Sequence, residues 1–86
     1  MIKSKYPRTV LNELKWKGYD MSLIEMTILN RGSPNDRAII KGNRIVSMGT
    51  LLTLSGLPYD VVIPYHRIIK ITYNGDVVFE MPVRRL

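Results

Sequence analysis

Ile69-Lys70-Ile71-Thr72-Tyr73-Asn74-Gly75-Asp76-Val77-Val78-Phe79-Glu80 places two runs rich in β-branched and aromatic residues on either side of an Asn-Gly pair. A two-residue Asn-Gly connection suits a type I′ turn, which needs positive φ at both central positions and whose twist matches that of the flanking strands. The stretch therefore reads as an antiparallel hairpin. Pro82 stops its second strand, leaving residues 83–86 as a basic tail expected to fray.

Immediately upstream stands Ile63-Pro64-Tyr65-His66-Arg67-Ile68, where the only histidine of the chain sits beside an arginine. Proline fixes φ and removes a donor, so the chain is expected to turn at Pro64 and Tyr65 before extended pairing resumes. His66 and Arg67 would then be held at a strand's edge. A second polar gathering, Arg31-Gly32-Ser33-Pro34-Asn35-Asp36-Arg37, precedes it, and the two read as halves of one site.

Toward the N-terminus, Pro7 can occupy a first helical turn and Gly18 can end the helix, giving an amphipathic helix over 8–17. Val10, Leu11 and Leu14 share one side, and Asn12, Glu13, Lys15 and Lys17 can face water. Trp16 is read first as a lid on the core and second as a stacking platform for a base. From Ser22 the period switches to two, with Ile24, Met26 and Ile28 on one face of a strand running to about Asn30. The 32–36 cluster breaks it. Ala38-Ile39-Ile40 and Arg44-Ile45-Val46-Ser47-Met48 are short extended runs around a tight turn at Lys41-Gly42-Asn43, and Gly49 marks a bend or bulge. Residues 50–54 form a further strand or a helical turn, 55–58 a loop, and 59–63 the lead into the histidine motif.

One helix followed by five or six short, turn-separated strands gives an α+β domain over residues 1–86. The helix is expected to pack on a small, strongly bent antiparallel sheet forming an SH3-like or Sm-like partial barrel, with an open α+β sheet as the alternative.

The 86 residues allow one small core, and 45% hydrophobic with 23% charged content is that of a folded domain. Thirteen Lys and Arg against seven Asp and Glu give a net charge of +6, which favours polyanions, nucleic acid before an anionic membrane surface. The chain has no cysteine, which excludes thiolate chemistry and fits a reducing, cytoplasmic setting. Neither a signal core nor a membrane-length apolar run is present.

Arg31, Gly32 and Ser33 offer a guanidinium, a close-approaching backbone and a hydroxyl, a grouping that suits a phosphate. The structural alternative is a simple chain turn in which Arg31 pairs with Asp36, and that pairing could itself orient the arginine for a ligand. His66 could take a proton beside an anion or could merely cap a turn. Acid-base cleavage of a phosphodiester commonly uses two proton-transferring groups, and no partner for His66 is marked. The scattered carboxylates give no metal-ligand spacing, so neither a metal nor a cofactor is expected. Tyr59, Tyr65, Tyr73 and Trp16 could stack bases or close the edge of a core.

Leu11-Asn12-Glu13-Leu14-Lys15-Trp16, Asn30-Arg31-Gly32-Ser33-Pro34-Asn35-Asp36, Ile63-Pro64-Tyr65-His66-Arg67-Ile68 and the 75–79 hairpin together resemble a family of small, mostly archaeal proteins described as carrying an RNA cyclic group end recognition domain. The resemblance spans nearly the whole chain. Where the family usually shows glycine before the loop aspartate this chain has Asn35, and a position often occupied by tryptophan holds Phe79. The resemblance implies a module that binds single-stranded or terminal RNA, including 2′,3′-cyclic phosphate ends, in the setting of RNA repair and processing enzymes. Arg31, Gly32, Ser33, Asp36, Tyr65, His66 and Arg67 are the candidate RNA- and phosphate-binding residues, and none is assigned a catalytic role. The alternatives are a phosphoesterase-type RNA-processing enzyme using His66 and a protein-interaction adaptor for an RNA enzyme.

Overall fold

Pro7 opens helix α1 (Pro7–Trp16), where its missing N–H costs nothing. Gly18 closes it in a left-handed conformation at φ 77°. The Gly18 N–H donates to the Lys15 carbonyl at 3.2 Å and the Tyr19 N–H to the Leu14 carbonyl at 3.0 Å, the paired bonds that satisfy the last carbonyls of a helix ending on glycine. Val10, Leu11 and Leu14 are buried as their spacing predicts. Trp16 is not a lid on the core: it is 86% exposed. The structure, a computed structural model, describes residues 6–30, 32, 34–56 and 59–81. The expected chain stop at Pro82 and the 83–86 tail lie outside the described residues.

Alternation builds β1 (Ile24–Leu29), whose Ile24, Met26 and Ile28 are buried. It pairs with β2 (Arg37–Lys41), and on the exposed face of that pair Lys41 meets Glu25 at 3.4 Å. After β2 the structure departs from the expected single sheet. The turn at Lys41-Gly42-Asn43 is a 3-10 turn, Gly42–Arg44, but it does not make a hairpin. It carries the chain into a second sheet formed by β3 (Ile45–Met48), β4 (Leu52–Leu54) and β5 (Val61–Ile63). Gly42 is required there, because a Cβ would lie 2.6 Å from both the Ile24 Cβ and the Met21 carbonyl oxygen. The Arg44 Nε donates to the Ser55 carbonyl at 3.0 Å, and the Ser55 N–H donates to the Arg44 carbonyl at 2.8 Å, tying the start of β3 to the end of β4.

A second 3-10 turn, Tyr65–Arg67, returns the chain to the first sheet. There β6 (Ile68–Tyr73) pairs with β1, and β7 (Asp76–Glu80) closes the expected hairpin with Asn74 at φ 50° and Gly75 at φ 90°. Two antiparallel sheets result, ordered β2-β1-β6-β7 and β3-β4-β5. The fold is α+β, as expected, but the described residues form seven strands in two sheets rather than five or six in one. One buried cluster joins Val10, Leu11 and Leu14 of the helix to Met26, Ile68, Ile71 and Phe79 of the larger sheet and to Leu52, Leu54 and Ile63 of the smaller.

Candidate functional site

Antiparallel pairing of β1 with β6 sets the end of the first strand beside the start of the second: Ile28 faces Ile68 just after a register shift. The segment leaving β1 and the segment entering β6 must therefore meet at one end of the larger sheet. The chain leaves β1 through the 30–36 connection, closed by the Asn30 N–H donating to the Asp36 carbonyl at 2.7 Å. Asn35 and Asp36 both adopt positive φ, 57° and 55°, a region that short polar side chains tolerate better than others. Asn35 thus takes a backbone shape natural to glycine. Gly32 has φ 94° with open space where a Cβ would stand.

The chain enters β6 through the turn bearing His66 and Arg67, in which the Arg67 N–H donates to the Pro64 carbonyl at 3.2 Å. Between loop and turn lies an open cleft of about 660 Å³ lined by Leu29, Asn30, Asp36, His66 and Arg67. His66 and Arg67 are both exposed. Among the described residues, the imidazole and the guanidinium have no hydrogen-bond or ion-pair partner. A planar guanidinium can grip an anion with two parallel bonds, and an imidazole can donate to it. Asp36 offers only acceptors to a ligand and suits a hydroxyl rather than a phosphate oxygen. Cation, ring donor and carboxylate around one cleft can take an anionic oxygen and a hydroxyl side by side.

Tyr65 makes contacts of its own. Its hydroxyl donates to the Gly49 carbonyl at 2.8 Å, its ring packs against the core, and the Arg8 guanidinium lies 5.7 Å from the ring centre. Burial pushes the phenol up from its ordinary value, with Arg8 pulling the other way. These contacts anchor the turn that presents His66 and Arg67. Arg31 and Ser33, expected in the same site, lie outside the described residues, although Asn30 and Asp36 of the same loop line the cleft. Sequence reasoning passed over Leu29 and Asn30 as lining residues. Their place at the end of a strand leading into the Arg-Gly loop was the available signal.

Among the described residues no three His, Cys, Asp or Glu side chains gather where a metal ion could be held. No described helix is long and apolar enough to cross a membrane. No family model, curated protein or solved structure matches the chain.

Proposed function

We propose that this chain is an RNA-binding module that seats the end of a strand, a 2′,3′-cyclic phosphate terminus above all, in the cleft between the 30–36 loop and the His66-Arg67 turn. The observation that carries this reading is that Asp36, His66 and Arg67 line one cleft in a chain of net charge +6. Arg67 and His66 hold the phosphate, Asp36 accepts from the 2′-hydroxyl of the penultimate ribose, since a cyclic phosphate leaves the terminal ribose none free, and Gly32 lets the loop backbone approach. Partners are single-stranded or terminal RNA and, through it, RNA repair or processing enzymes. We read the two sheets as halves of a small SH3-like or Sm-like partial barrel with α1 over its open end, a reading supported by the single core that joins them.

One observation favours a second reading, a phosphoesterase using His66. Asp36 lines the same cleft and is a candidate for the second proton-transferring group that such chemistry needs. A labelled oligoribonucleotide ending in a 2′,3′-cyclic phosphate, incubated with the protein and scored for retention and for product, separates the two. The binding module retains the oligonucleotide unchanged, and Arg67→Lys, which keeps the charge and loses the planar fork, weakens retention by about tenfold. Turnover to an opened phosphate would establish the enzyme instead. Absence of both retention and turnover would leave the adaptor reading.

A further inference from the structure

Helix α1 carries a polar stripe that its packing does not explain. Arg8, Asn12, Lys15 and Trp16 recur at helical spacing along one side, away from buried Val10 and Leu14. At one end Arg8 lies over the ring of Tyr65, the residue immediately before His66 and Arg67. At the other end Asn12, Lys15 and Trp16 join Met48 of β3 around a second groove of about 320 Å³. The Tyr65 hydroxyl bond to Gly49, the residue after Met48, links that groove to the turn beside the cleft. Tyr65 therefore connects the turn that lines the cleft to the helix at Arg8 and to the residue next to Met48 of the groove.

We propose that the second groove is a base-stacking subsite: an internal nucleobase of the strand whose end occupies the cleft lies on the Trp16 indole, and Arg8 and Lys15 meet the phosphates in between. The inference rests on the end-binding reading above. A fully presented indole face takes any base, because every base has a π-face. Among the described residues the groove lining contains a lysine and no carboxylate, which suits a polyanion better than an apolar protein surface. From Arg8 to Trp16 the helix advances ~12 Å. At ~3.4 Å per stacked nucleotide, that length of helix alone spans roughly three or four nucleotides, so the base on Trp16 lies beyond the reach of a dinucleotide seated in the cleft.

Trp16 is the only tryptophan in the chain, so its fluorescence reports on this groove alone. The probes are a dinucleotide and an octanucleotide of RNA, each ending in a 2′,3′-cyclic phosphate. The octanucleotide is expected to quench Trp16, and to bind Trp16→Ala about five- to a hundredfold more weakly than wild type, with Trp16→Phe recovering part of the loss. The dinucleotide is expected to bind wild type and Trp16→Ala alike and to leave the emission unchanged. Because Trp16 is so exposed, its replacement leaves the fold intact, which a melting curve checks. Equal binding of the octanucleotide by wild type and Trp16→Ala would overturn the subsite and spare the end cleft. Quenching by the octanucleotide with no dinucleotide binding would uphold the subsite and overturn the end cleft. A concentration-dependent blue shift of the free protein would assign the groove to a second copy of the chain and overturn the proposal.

Discussion

Tyr65 holds the turn that its neighbours decorate, and removing one oxygen tests this. Tyr65→Phe loses the bond to the Gly49 carbonyl and is expected to cost about 1 kcal/mol, a fall of about 4–8 °C in melting temperature for a domain of this size. The pH dependence has a definite sign. Burial raises the folded-state phenol above its unfolded value, so its contribution to stability is full below the unfolded value near 10 and is lost as pH rises through the folded one. The stability gap between wild type and Tyr65→Phe should therefore narrow in alkali. A gap that widened, or never existed, would show that the hydroxyl does not anchor the turn. This anchoring was not legible in the sequence, because nothing in a local pattern shows a side chain reaching back to Gly49. The exposure of Trp16 was more legible than the expectation allowed. Two residues beyond buried Leu14, a helical side chain has swung roughly 200° around the axis, away from the core.

Gly42 separates a turn from a corner. The tripeptide around it is recognisable as a break in extended structure, yet β2 and β3 pair with different partners, and only the clash awaiting a Cβ against Ile24 and the Met21 carbonyl reveals how closely the chain passes β1. Gly42→Ala is expected to destabilise by about 1–3 kcal/mol, whereas Gly49→Ala, with open space at its Cβ position and no left-handed backbone, should stay within about 0.5 kcal/mol. Urea titration of both variants makes the comparison, and equal midpoints would refute the corner's tightness. Where elements carried a strong local code they were legible. The Asn74-Gly75 hairpin formed with both residues at positive φ, and the Ile24, Met26, Ile28 alternation is buried as read. The three-residue strands β4 and β5 are too short to express a period. Hence residues 50–54 stayed ambiguous between strand and helical turn, and Val61–Ile63 passed as a mere lead-in.

At the scale of the molecule, a net charge of +6 makes salt the simplest probe of the proposed RNA interface. Each phosphate neutralised on a single strand contributes ~0.7 to the fall of log affinity with log salt, so Arg8, Lys15 and Arg67 together predict a slope of about −2, and Lys15→Ala should reduce its magnitude by about 0.7. Filter binding across a salt series measures this, and a flat response would favour the adaptor. The division into two sheets was not legible, because pairing partners are set by tertiary packing of short strands that look alike in sequence. The two halves of the cleft were legible as polar interruptions of apolar runs, but their meeting depends on the register of β1 against β6. That register bears on the order of assembly. The β1–β2 and β6–β7 hairpins close over short distances along the chain, whereas joining β1 to β6 requires the intervening smaller sheet to be spanned first, and such distant closure is entropically delayed. Leu29 and Asn30 belong to the first hairpin, and His66 and Arg67 introduce the second. A nascent or half-folded chain thus owns both banks of the cleft and no channel between them, so capture of a strand end would announce that the final joint of folding has closed.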